Sequence, residues 1–362
     1  MVGGGTGVAI TLTEPVVFLA TDTDVPAQVR GTVELALART TRVRDIVLSF
    51  SGVSRTDWPE GIGPARMEQS ESVRLVHLEA GVLGARRLRA GTHEFPFSWS
   101  LPPGLPPTLH ADFGHIEYVL RACVRRSGAL APNLSTQTEV TLVQAPDPAT
   151  EPLVIERECD DMLAYTLTVG ARSFPIGTRI PLTLRCVPLS KVRVLRLVVA
   201  LEEATEYYAN ARRVVRHELP RKWTLLHLGA QRALLPVDSA DELAHSPVRP
   251  LVEGAAARAL DPADVRDAPL RAAGPWELAL DPLVSLDQRR INISNMHGHA
   301  NTAVQHTLRV VLRVERTDEH RIVDMVIAVP IELTHSKTAA EWLALPTYAA
   351  AASGTPPPPT FP

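Results

Sequence analysis

The sequence predicts an all-β protein: two consecutive antiparallel β-sandwich domains of immunoglobulin-like type, followed by a disordered proline-rich C-terminal tail. Three observations lead there. Apolar and polar residues alternate in short runs along most of the 362 residues, which is the period of a half-buried strand. Long 3.6-period segments, the crossover helices of a βαβ fold, are missing. A proline-rich break between the two strand series leaves each long enough to enclose its own core.

The strands follow in order. Val29, Gly31, Val33, Leu35 and Leu37 alternate with Arg30, Thr32, Glu34 and Ala36, and Ile46, Leu48 and Phe50 repeat the pattern. In residues 93–128, Phe95, Phe97 and Trp99 alternate with Pro96 and Ser98. Pro102, Pro103, Pro106 and Pro107 then lack amide donors and fix φ, so the chain must cross there in extended form. Beyond the crossing, Ile116, Tyr118, Leu120, Ala122 and Val124 share one strand face, with His115, Glu117, Arg121 and Arg125 mostly on the other. Such a pair of strands suits a chain leaving one sheet of a sandwich for the other. The first domain is expected over residues 8–145, and the linker over 146–152, where prolines recur without apolar pattern. The second domain is expected over 153–336. It contains alternating Leu163, Tyr165, Leu167 and Val169, a strong strand over 192–201, and closing strands over 304–316 and 322–333. Residues 229–287, rich in Ala, Pro, Asp and Arg, read as a loop insertion with a short helix at 255–260.

Composition narrows the function. Apolar residues make up 45% and charged residues 21%, and the net charge of −3 gives no field that favours nucleic acid. Cys123, Cys159 and Cys186 are odd in number and widely spaced, without a C-x-x-C pair, which suits free thiols in a reducing compartment. The first ten residues lack the basic and apolar regions of a signal peptide, and Val2 stands where myristoylation requires glycine. No run approaches the roughly 18 apolar residues of a membrane span. A cytoplasmic protein is expected. G-x-S-x-G, P-loop, G-x-G-x-x-G and H-E-x-x-H patterns are absent, so no enzyme is expected. Gly3-Gly4-Gly5 precedes the first strand instead of joining a strand to a helix. His297 and His299 are assigned to a polar loop and His306 to a strand start, so no metal or other cofactor is expected. Asp160-Asp161 reads as a solvated turn, because adjacent strand residues point to opposite faces.

Several of these segments, taken together, resemble the arrestin-like family. Its first domain carries G-x-H-x-F-P-F-x-[FW]-x-L-P, then L-P-P-T, then I-x-Y. Here those letters are Gly91, His93, Phe95, Pro96, Phe97, Trp99, Leu101, Pro102, Leu105 to Thr108, Ile116 and Tyr118. The second half is similar to the family at Tyr165, at Pro175-Ile176-Gly177, at Pro188-Leu189-Ser190-Lys191, and at Glu203 with Tyr207. His306, near the start of the first closing strand, matches as well. The matches run in family order over roughly residues 10–335.

The resemblance implies a non-enzymatic adaptor of the alpha-arrestin, or fungal arrestin-related trafficking, kind. Such adaptors use P-P-x-Y or L-P-x-Y motifs after the second domain to recruit HECT ubiquitin ligases of the Nedd4 type. In the tail, residues 337–362, Leu345-Pro346-Thr347-Tyr348 is an L-P-x-Y. A WW domain binds such a segment because proline is already extended, which lowers the ordering cost, and the tyrosine fills a second pocket. Pro358, Pro359 and Phe361 form a degenerate copy without the hydroxyl. The partners implied are the WW domains of the ligase and the cytosolic tails or loops of transporters or receptors, with recruitment to plasma membrane or endosomes. Lys191, Lys222 and Lys337 are the only lysines and so the only side-chain ubiquitin acceptors. Arg86, Arg87 and Arg89, with Arg125 and Arg126, form a candidate basic patch for acidic phospholipid or phosphorylated cargo. Exposed strand ends with no shared ligand stand as the other reading. A ligase-independent scaffold in cargo sorting or pH-response signalling is the alternative function. A carbohydrate-binding module or hydrolase is disfavoured by an aromatic content of 5%.

Overall fold

The computed structural model describes residues 6–20, 26–61, 63, 66–127, 132–145, 151–229, 248–250, 275–285 and 291–339. The first half of the chain contains β1 (Gly7–Leu12), β2 (Val16–Leu19), β3 (Gln28–Leu37), β4 (Thr41–Glu60), β5 (Met67–Leu83), β6 (Arg86–Leu88), β7 (Gly91–Ser100), β8 (Leu109–Ala111), β9 (Gly114–Arg126), β10 (Leu134–Glu139) and β11 (Thr141–Gln144). One sheet has the order β1-β3-β7 and the other β10-β9-β4-β5, with β6 on β4 and β8 on β9. Both sheets send alternate residues into one core: Val29, Val33 and Leu35 from β3 meet Ile46, Leu48 and Phe50 from β4 and Ile116, Leu120 and Val124 from β9. Each such side chain withdrawn from water contributes roughly 1.5–3 kcal/mol.

The proline crossing does what its chemistry requires. It takes the chain from β7 in the first sheet to β9 in the second. Pro96 pairs with Thr32 on β3 and is tolerated because β7 is the outer strand of its sheet. The Tyr118 hydroxyl donates to the Pro106 carbonyl at 2.6 Å, which pins the crossing to β9. Its ring stacks on Phe50 at 5.8 Å. Gly52 makes room for that ring, since a Cβ there would lie 2.4 Å from Tyr118 Cε1.

The second half contains β12 (Leu153–Cys159), β13 (Leu163–Val169), β14 (Ser173–Pro175), β15 (Leu182–Pro188), β16 (Val192–Ala209), β17 (Val214–His217), β18 (Arg221–Leu228), β19 (Val248–Pro250), β20 (Trp276–Leu280), β21 (Thr302–Arg316) and β22 (Arg321–Thr334), then a single 3₁₀ turn at Ser336–Thr338. The sheets β12-β13-β15-β20-β19 and β14-β22-β21-β16-β17, the latter with β18 on β16, enclose a second core. Each half also has one short parallel pair, β2 with β11 and β14 with β22. Asp160 and Asp161 form the β12–β13 turn at φ 44° and 50°.

Two expectations require correction. The segment 229–287 is not all loop: Trp276, Leu278 and Leu280 of β20 are buried in the second core and pair with β15. Their alternation was hidden because it spans only five residues in Ala- and Pro-rich surroundings. The strong strand expected from Val192 to Leu201, with Glu202, Glu203 and Tyr207 at its end, runs on to Ala209 and buries the polar Glu203 and Thr205 on the way. The helix expected at 255–260 lies outside the described residues, as do Gly3-Gly4-Gly5.

Candidate functional site

The two sandwiches meet where their longest strands end. Thr56 near the end of β4 donates its hydroxyl to the Tyr208 carbonyl of β16 at 2.7 Å. The Ser54 hydroxyl accepts from the Asn301 amide at 2.9 Å. Trp58, Tyr207 and Ala209 form a small buried cluster, and Phe113 meets Tyr207 edge-on at 5.6 Å. Burial pushes the Tyr207 hydroxyl up to about 12. The Arg216 guanidinium lies 4.4 Å over the Phe113 ring, and Arg221 pairs with Asp112 across the junction. Ala300, just before β21, and Val304, near its start, pack into the first core. Gly114 permits the close approach, because a Cβ there would fall 2.1 Å from Thr302 Oγ1.

The turn from β16 to β17 is strained against this junction. Asn210, Ala211 and Arg212 all have positive φ, between 52° and 63°, a region that costs an L-residue about 1–2 kcal/mol. The Glu71 carboxylate of β5 accepts the Ala211 amide at 3.1 and 3.2 Å. Arg212 donates to the Gly298 and Ala300 carbonyls at 3.0 and 2.8 Å and covers the Tyr208 ring at 3.6 Å.

Behind the junction lies a polar cluster that sequence reasoning did not assemble. Glu203 on β16 and His306 on β21 are register partners, both with fully buried side chains, and Oε2 lies 3.2 Å from Nε2. Glu203 also accepts from the Asn292 backbone at 2.7 Å and from the Asn292 side chain at 2.8 Å. Burial alone would raise the Glu203 carboxyl, but the bonds from His306 and the Asn292 amide outweigh it and hold the group below its ordinary value. His306 Nδ1 meets Ser294 Oγ at 2.8 Å. Ser294 Oγ also accepts from the Leu333 amide at 2.8 Å, so the hydroxyl is a structural tie between elements. Beside the cluster a cavity of about 390 Å³ opens between the sandwiches, lined by Leu19, Leu105 and Pro107 on one side and Ile293, Met296 and His335 on the other. Burial first, and Lys337 second, lower the His335 imidazole. Among the described residues no group of three or more His, Cys, Asp or Glu is placed to hold a metal.

The other predicted residues lie apart from this junction. Arg86 on β6 and Arg126 on β9 both pair with Val43, from opposite sides of β4, so the two arginine runs converge on one end of the first sandwich. Arg125 reaches Asp45 at 3.6 Å, and Arg126 Nε donates to the Pro132 carbonyl at 2.8 Å. Lys191 is exposed in the β15–β16 turn, Lys222 reaches Glu202 at 3.2 Å, and Lys337 is half-buried in the final 3₁₀ turn. Leu345-Pro346-Thr347-Tyr348, Pro358, Pro359 and Phe361 lie outside the described residues. No helix among the described residues is long and apolar enough to cross a membrane.

Residues 20–147, which supply most of the first sandwich, match the family described as arrestin (or S-antigen), N-terminal domain. A Schizosaccharomyces pombe protein provisionally named an arrestin-related trafficking adapter is 26% identical over 402 aligned residues, 97% of this chain and 58% of its own length. The first sandwich belongs to the arrestin family, and the chain as a whole is arrestin-like. This arrestin-like chain is also 31% identical over 139 residues to arrestin-related trafficking adapter 3 of Saccharomyces cerevisiae, covering 37% of the chain and 13% of that protein. It is 28% identical over 152 residues to the pH-response regulator protein palF/RIM8 of Emericella nidulans, covering 36% of the chain and 20% of that protein. The arrestin-like chain thus spans little more than half the length of the Schizosaccharomyces pombe relative.

Proposed function

We propose that this chain is a trafficking adaptor that brings a Nedd4-type HECT ubiquitin ligase to plasma-membrane transporters or receptors, promoting their ubiquitination and endocytosis. The observation that carries the reading is the pairing of two features. Similarity to a trafficking adapter extends over 97% of the chain, and an L-P-x-Y segment, Leu345 to Tyr348, follows shortly after the last strand. Catalysis belongs to the ligase. The adaptor supplies proximity, which raises the effective concentration of cargo lysines. Of its own lysines, Lys191 and Lys222 are exposed on the second sandwich and Lys337 stands nearest the tail, so each is a candidate for modification by the recruited ligase. The adaptor works in the cytoplasm and at the inner face of plasma membrane or endosomes.

The test is a titration of a fluorescent peptide of residues 341–362 against isolated WW domains of a Nedd4-type ligase, beside a Tyr348→Ala peptide. Binding in the micromolar range, about −8 kcal/mol, and its loss in the Ala peptide are expected. Binding indifferent to Tyr348 removes the ligase step. The similarity to a pH-response regulator favours one second reading, a ligase-independent scaffold in cargo sorting or pH signalling, and that outcome would select it.

A further inference from the structure

We propose that the arginine-bearing end of the first sandwich is a docking surface for an anionic phospholipid bilayer. The segments 38–44, 84–93 and 121–127 meet at this end through β4, β6 and β9 and contain no aspartate or glutamate. Arg39, Arg42, Arg44, Arg86, Arg87 and Arg89 are all exposed. Arg42 and Arg87 are direct cross-strand partners, and like charges placed so oppose the pairing of their strands. Asp45, the nearest acidic residue in sequence, is taken by Arg125. None of the six exposed guanidinium groups has an ion-pair partner among the described residues; the bonds at Arg39, Arg42 and Arg89, from Thr41, Ser127 and His93, go to their backbone carbonyls and leave the side chains uncompensated. A fold that concentrates like charge at a strand pairing without internal neutralisation is built to be neutralised from outside.

The shape selects the bilayer over a peptide. The arginines stand on a turn, a three-residue edge strand and the ends of β4 and β9. The cavity of about 390 Å³ lies elsewhere, against the second sandwich. A rim of long cationic side chains without a groove fits a plane of headgroups, whereas an extended peptide would need a trough or an open ladder longer than β6. The surface is also remote from the domain junction: Val43 and Thr56 lie towards opposite ends of β4, roughly 40 Å apart at about 3.4 Å per residue.

The test is co-sedimentation of the full chain with phosphatidylcholine vesicles, with and without phosphatidylserine, at low and high salt. We expect binding only where phosphatidylserine is present, and release by salt, since screening shortens to about 3 Å at 1 M. Arg42→Glu/Arg86→Glu/Arg87→Glu is expected to weaken binding at least tenfold, because each arginine at such a surface contributes roughly fivefold. Arg89→Glu, outside any strand and so harmless to folding, is expected to weaken it severalfold by itself. Arg86→Lys/Arg87→Lys is expected to retain binding, because a diffuse headgroup field needs charge and not a fork. Equal binding to neutral vesicles, or full binding by both glutamate variants, overturns the proposal. Competition by a phosphoserine peptide or inorganic phosphate, with loss in the lysine variant, overturns it too and reassigns the surface to single phosphate groups.

Discussion

A carboxylate with no exposed surface persists at Glu203 because both oxygens find donors: Oε2 accepts from His306 and the Asn292 amide, Oε1 from the Asn292 side chain and the Thr205 hydroxyl. Removing one member of a buried pair leaves the other uncompensated, and Glu203→Gln is expected to cost about 3–5 kcal/mol in urea unfolding at neutral pH. The pH dependence follows from the direction of the shift. The folded carboxyl lies below its ordinary value of 4.5, so its stabilisation is complete above that value and is lost as pH falls through the folded one. Wild type and Glu203→Gln should therefore converge in stability on acidification, followed by unfolding midpoint against pH. In the sequence Glu203 and His306 are visible only as separate motif letters. They are 103 residues apart, and nothing in local pattern reveals that β16 and β21 place them opposite each other.

Strands show more of themselves in sequence than sites do, because alternation is a local signal. Where it failed, it failed for one reason. The buried row of β4 runs Ile46, Leu48, Phe50, then Ser54, Thr56 and Trp58. The buried row of β16 runs Val199, Leu201, then Glu203, Thr205 and Tyr207. In both, apolar residues give way to polar ones where the strand enters the junction, so a search for apolar alternation ends the second strand too early. The polar residues belong to the interface between the sandwiches. Thr56→Val keeps the volume and adds apolar surface, yet it is expected to destabilise by about 1–3 kcal/mol, since the Tyr208 carbonyl loses its hydroxyl donor. A stability equal to or above wild type in chemical unfolding would contradict that account. The convergence of Arg86 with Arg126 was likewise not legible, because it depends on β6 joining β4 beside β9.

Across the whole molecule, the two halves are held by hydrogen bonds, an ion pair and a shared aromatic cluster, and Ala300 and Val304 complete the core of the other half. Calorimetry of the intact chain should show one dominant transition. Gly114→Val, which forces the backbone away from Thr302 and Tyr207, should separate it into two as each sandwich melts on its own core. The all-β architecture was readable from periodicity, whereas the junction was not, because its contacts come from turns and strand ends that carry no period. The geometry of β4 has a mechanical side. It is one long strand, paired to β5 from Ile46 to Glu60 and to β9 from Val43 to Thr56 with a few register shifts, with the arginines at one end and the junction at the other. A pull between these ends loads many ladder bonds in shear at once instead of unzipping them singly, so the first sandwich should behave as a stiff strut, with compliance confined to the joint.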